Sequence, residues 1–206
     1  MKKEITLILL LLFPLTGCVT VFSDYQSAKI LPEGSSEITG HYSNSNYHSD
    51  GDAQTAQSNM GIQYAYGLKE RVEIRAMVQT PKANGEEYFE YLVIGGGPKF
   101  SVVKDHVAVY VPVGTVFGSG IEAIDQIEIH PTLLLSYDPI ETMELNSSAK
   151  MIIPANSNKD MLLALNFGLG IIVSESFTIR PVYGMLFDPG EEGYFSDFGI
   201  GVSYRF

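Results

Sequence analysis

The chain has 206 residues, 24 acidic against 13 basic, and a formal net charge of −11. This length fits one domain, and the acidic balance excludes the basic surface that nucleic-acid binding needs, so no nucleic-acid partner is expected. With 45% hydrophobic and 18% charged residues it is not a disordered chain, and its single cysteine excludes an intrachain disulfide or a multi-cysteine metal site.

The chain opens on Met1-Lys2-Lys3, a short basic start, followed by an apolar run from Ile5 to Leu15 broken only by Thr6 and Pro14. The run is shorter than the roughly 20 residues of a membrane-spanning helix and reads as a secretory signal, residues 1–17. It ends in Leu15-Thr16-Gly17-Cys18, which holds the only cysteine. That tetrad resembles the lipobox of bacterial lipoproteins. The resemblance implies cleavage before Cys18, a lipid (palmitate among its acyl chains) on its sulfur, and handling by the lipoprotein-sorting machinery. Val19 follows, where lipoproteins retained at the inner membrane carry Asp, so export to the outer membrane stays open. Residues 18–34, ending in Pro32-Glu33-Gly34, read as lipid anchor and periplasmic linker.

From residue 35 to 206 the sequence shows no repeat, no domain boundary and no helical window. Instead, ten segments of about ten residues alternate with period two, separated by turn-forming residues. They lie at 36–43, 58–67, 72–80, 88–100, 107–117, 127–137, 143–153, 161–172, 177–187 and 194–206. In the last, Phe198, Ile200, Val202, Tyr204 and Phe206 alternate with Asp197, Gly199, Gly201, Ser203 and Arg205. One face is large and apolar, the other small or polar, so the strand separates two environments. The connections alternate too. Those at 68–71, 102–106, 138–142 and 173–176 are short, whereas 44–57, 81–87, 118–126, 154–160 and 188–193 are mostly longer. This is the pattern of an all-β, up-and-down antiparallel barrel of about ten strands.

Alternation does not say which face is outside. Two features favour an apolar exterior and a transmembrane barrel. Aromatics gather near strand ends, with Tyr88, Phe89, Tyr91, Phe117, Phe187, Tyr194 and Phe195 toward the long loops. Tyr64, Tyr66, Phe100, Tyr137, Phe177, Tyr204 and Phe206 lie toward the short turns, like two interfacial girdles. The opposite face carries Glu37, His41, Glu73, Arg75, Glu128, Lys150, Arg180, Asp197 and Arg205, too much charge for a dry core. The C-terminus also resembles the closing strand of bacterial outer-membrane barrels, with a terminal Phe206 and Phe198 and Tyr204 in phase behind it. Tyr66 to Ile74 resembles the periplasmic turn of such barrels. The resemblance implies outer-membrane lipid and the barrel-assembly machinery as partners, Phe198, Tyr204 and Phe206 as the assembly signature, and an outer-membrane location with termini on the periplasmic side. Against closure stand Pro98, Pro112, Pro131 and Pro181, inside predicted strands, where proline cannot donate to the ladder. They imply bulges, a phase slip or an open sheet. Ser147 falls on the outward face.

Motifs for catalysis are absent: there is no HExxH, no serine elbow and no phosphate loop. Gly95-Gly96-Gly97 precedes Pro98-Lys99 rather than a helix, and reads as room in a narrow barrel or a bulge. His48-Ser49-Asp50-Gly51-Asp52 lacks the ligands of a calcium loop. No cofactor and no metal are expected. His41, Glu128 and His130 could form an acid/base group of an outer-membrane enzyme acting on lipid or peptide. The plainer reading is a paired charge network, Glu73, Arg75, Glu128, His130, Lys150, Arg180, Asp197 and Arg205, filling a narrow lumen. The sequence therefore leaves three functions. One is a non-enzymatic, lipid-anchored outer-membrane barrel in envelope structure, surface interaction or narrow transport. The others are an outer-membrane enzyme and a soluble lipoprotein barrel binding an apolar ligand.

Overall fold

The computed structural model describes residues 23–49, 51–83, 88–118, 121–156, 159–190 and 192–206. The signal segment and Cys18 lie outside these residues. Twelve strand segments follow in chain order: β1 (Ser36–Ser49), β2 (Asp52–Lys69), β3 (Val72–Ala83), β4 (Tyr91–Val103), β5 (Val107–Tyr110), β6 (Val113–Gly118), β7 (Glu128–Ile129), β8 (Thr132–Ile140), β9 (Met143–Pro154), β10 (Leu162–Ile172), β11 (Phe177–Phe187) and β12 (Tyr194–Arg205). β5 and β6 both pair with β4 and continue one another; β7 and β8 both pair with β9 and do the same. The twelve segments are thus ten staves, each antiparallel to its sequence neighbours. The ring closes where β1 pairs with β12, from Glu37↔Arg205 to His48↔Tyr194. Backbone bonds of 2.9 Å in both directions between Ser36 and Phe206 seal its short-turn end.

Two of the four in-strand prolines, Pro112 and Pro131, mark interruptions of a closed wall. The fifth stave breaks at Val111-Pro112 and the sixth at His130-Pro131. A proline nitrogen has no hydrogen to donate, but its carbonyl still accepts. Accordingly Val111 N–H donates to Pro98 O (3.1 Å), His130 N–H to Pro112 O (2.9 Å) and Met151 N–H to Pro131 O (3.0 Å). Pro98 and Pro181 stay within unbroken β4 and β11, opposite Ile74 and Ile200.

The apolar face is outside. Ile62, Ile74, Leu133, Leu165, Phe198, Ile200 and Val202 are exposed, Phe198 at 63%, whereas Glu73, Arg75, Lys99 and Thr132 on the other face are buried. Tyr110 is buried in the lumen and its neighbour Val109 faces outward. Side chains that avoid water on the outer surface and charges on the inner one fit a wall standing in hydrocarbon. This is a transmembrane barrel, and it excludes the soluble barrel with an apolar interior. Ser147 does lie on the outer face, in a shallow groove of about 590 Å3 with Leu145, Phe167, Tyr183 and Phe198.

Three expectations need correction. The connection 44–57 is no loop: β1 and β2 stay paired up to Ser49↔Asp52, and Gly51, at φ 85°, takes the left-handed turn conformation. Above the membrane such a hairpin needs no apolar face, so its Asn/Ser-rich sequence hid it. Tyr91 and Phe195 do not join the outer girdle. Tyr91 packs with Val93 and Val116, and Phe195 with Ile152, Ala164 and Leu186, in two apolar layers inside the long-loop end. The third correction is the largest. Residues 23–31 do not lie outside the barrel as a linker. They run inside it.

Candidate functional site: a filled lumen

The wall supplies the charges. At the short-turn end Glu73 is the hub. It accepts from Lys99 Nζ (2.9 Å) and from Arg75 Nε, while Arg75 Nη2 also reaches Glu37 (3.1 Å). All four are buried, and Lys99 and Glu73 are 0% exposed. Period-two alternation brings them together, because Glu37, Glu73, Arg75 and Lys99 are the inward positions at one level of β1, β3 and β4. Across the lumen Arg180 Nη1 donates to Glu144 Oε1 (2.9 Å), and its Nε donates to Ser203 (3.3 Å). Glu128 and His130 form a separate pair, 2.9 Å apart, beside the break in the sixth stave. Arg205 stands at the short-turn mouth, 3.9 Å from Glu37 and half exposed.

The N-terminal segment supplies the rest. It enters at the short-turn end, where Gly34 N–H donates to Gly67 O (2.9 Å) and Leu31 N–H to Glu73 Oε2 (2.9 Å). Lys29 lies against Asp138 (2.8 Å) and Glu144 (3.1 Å). Ala28 N–H donates to Ser136 Oγ (2.7 Å), and Ala28 packs with Ala108, Tyr110 and Leu134. Further in, Asp24 pairs with Lys150 (3.0 Å) and accepts from Ser148 (2.7 Å) and Asn166 (3.2 Å). Asp197 accepts from Ser23 and from Ser45 (2.6 Å). These partners move steadily from the short turns toward the long loops, so residues 31 to 23 climb the lumen as one irregular segment, bent at Ala28.

Tyr25 is the anchor of this segment, 1% exposed. Its ring stacks on His41 with centroids 4.7 Å apart. It fits because β12 carries glycine where it passes. A Cβ on Gly199 would lie 2.0 Å from the Tyr25 hydroxyl, and one on Gly201 would lie 2.9 Å from its ring. The cavity left beside the segment, lined by Ser23, Asp24, Gln26, Gln63 and Arg75 among others, measures about 30 Å3, room for one water.

The structure thus places Glu73 with Arg75, Glu128 with His130, and Arg180 with Glu144, while Lys150 and Asp197 find their partners on the inserted segment. Sequence reasoning missed Lys99, Glu144 and that segment. His41, Glu128 and His130 do not assemble into an acid/base group: His41 bonds Gln79 (3.1 Å) and lies under Tyr25. Phe198, Tyr204 and Phe206 stand on the outer surface.

No protein-family model matches the sequence, and no curated protein matches it. Solved structures do. An outer-membrane channel from Pseudomonas putida F1 matches with TM-score 0.53 at 10% identity, over 89% of this chain and 100% of that one. The translocator domain of the autotransporter NalP from Neisseria meningitidis matches at TM-score 0.49 and 11% identity, over 85% and 90%. Ail, the attachment invasion locus protein of Yersinia pestis, matches at 0.42 and 19%, over 84% and 99%. At such identities the likeness to the Pseudomonas channel speaks for the fold alone, and that fold is the outer-membrane type of β-barrel.

Proposed function

We propose that this protein is a non-enzymatic outer-membrane barrel, anchored by a lipid on Cys18 and closed by its own N-terminal segment. Its role is in envelope structure or surface interaction rather than open transport. The observation that carries the reading is the lumen. Among the described residues, 23–31 occupy it, Asp24 and Lys29 are paired with the wall, and the cavities beside them measure about 30 Å3 and 10 Å3. Barrels that conduct freely have 16–18 strands and an aqueous interior. Ten staves around a buried peptide leave no such path. On this reading the short turns and the C-terminus face the periplasm, the long loops face outward, and the barrel-assembly machinery reads Phe198, Tyr204 and Phe206.

Two measurements test it. In planar bilayers the unmutated protein is expected to give no large, steady conductance. A stable open state would make transport the function. For the anchor, Cys18→Ser is expected to abolish palmitate incorporation and leave a larger unprocessed precursor, since the sulfur is the attachment atom. Equal label in the variant and the wild type would end the lipoprotein reading.

A further inference from the structure

The direction of the inserted segment decides where its N-terminal end emerges. Ser23 bonds Asp197, which pairs with Ser45 and Gly184. Asp197 stands nine residues along β12 from Phe206 at the short-turn end. At about 3.3 Å per residue that is about 30 Å of strand, and with a tilt near 40° it is about 23 Å of height. The apolar band of such barrels is about 25 Å tall. Ser23 therefore lies close to the long-loop edge of the membrane. Cys18 is five residues further, a reach of at most about 18 Å. That is too short to return to the short-turn rim, even along a free path. The path is not free either: the lumen below Ser23 holds Tyr25, Ala28 and their partners, which are buried against the wall.

We infer that Cys18, held within this reach of Ser23, places its acyl chains in the outer leaflet on the long-loop side, so that the N-terminus is displayed at the cell surface. This rests on the lipid anchor proposed above. It replaces an anchor in the inner leaflet, which a linker lying outside the barrel would allow. The apolar layer within that reach is the outward-facing lipid of the outer membrane.

The test uses a membrane-impermeant maleimide on intact cells, with palmitate labelling in parallel. Thr20→Cys is expected to react as fully as Glu192→Cys in the long-loop connection between β11 and β12. Glu175→Cys, in the short turn between β10 and β11, is expected to react only after the outer membrane is permeabilised. No label at Thr20→Cys on intact cells, with palmitate present, overturns the outward exit while leaving the anchor standing. Label at Thr20→Cys without palmitate on the protein overturns the anchor, and the leaflet assignment with it. A second variant holds the segment itself to account. Ser23→Cys with Asp197→Cys is expected to form a disulfide in membranes, in chains that still carry palmitate. Failure of this pair to cross-link under oxidation overturns the threaded path.

Discussion

Replacing Glu73 by alanine is expected to destabilise the barrel by about 3–5 kcal/mol, the cost of stranding a buried charge. Glu73 is fully buried and neutralises two cations at once, Arg75 and Lys99, while accepting the Leu31 N–H that starts the inserted segment. Without it Arg75 keeps Glu37 at 3.1 Å, but the wholly buried Lys99 loses the carboxylate that it touches. The measurement is the temperature at which folded protein converts to the unfolded band on a gel, beside Glu175→Ala at an exposed turn as a control within about 0.5 kcal/mol of wild type. Removing both partners, Glu73→Leu with Lys99→Leu, is expected to recover much of the loss, because apolar groups need no counter-charge. A single variant as stable as wild type would show that the hub is dispensable.

Gly201→Val is expected to unseat the inserted segment while leaving the wall intact. The nearest atoms that a Cβ there would meet all belong to Tyr25, at 2.9, 3.1 and 3.2 Å. Overpacking of this kind costs about 1–3 kcal/mol, and valine suits a strand position. The strain is relieved when Tyr25 leaves. Small, unsteady currents should then appear in planar bilayers, and a Ser23→Cys/Asp197→Cys pair should cross-link less. Adding Tyr25→Ala to Gly201→Val makes room again and should restore the cross-link. A Gly201→Val protein that stays silent and fully cross-linked would refute Tyr25 as the element that seats the segment.

The staves were legible because membrane and lumen impose opposite demands on alternate residues. That rule reads Glu73, Arg75, Lys150 and Arg180 directly from their strands. It fails where alternation loses its contrast. Lys99 follows Gly95-Gly96-Gly97 and Pro98, a stretch with little side-chain contrast, so its phase could not be seen. Glu144 stands two residues after the Glu141-Thr142 turn, where apolar phasing has only begun. The inserted segment has no period at all. Ser23-Asp24-Tyr25-Gln26-Ser27 has the composition of a linker, and its fit depends on partners more than a hundred residues away, such as Ser136 for Ala28 and Asp197 for Ser23. One trace of it was present: Gly199 and Gly201 on β12, in phase with the inward side chains of that strand, leave the space that Tyr25 fills.

The seal between β1 and β12 has a consequence for how the molecule is made. It joins the first stave to the last, so it is the pairing that must wait for the whole chain. Once Ser36 and Phe206 are bonded, the cavities beside Asp24 and Gln26, about 30 Å3 and 10 Å3, are far smaller than a tyrosine side chain. The N-terminal segment therefore cannot be threaded afterwards. It has to lie along the open sheet, with Asp24 on Ser148, Lys150 and Asn166 and Leu31 on Glu73, before the two edges meet. The first described residues are thus the form around which the last ones are wound, as hoops are closed on a mandrel. A chain whose mandrel is missing would have to close around water instead, and Lys150 would lose the Asp24 carboxylate.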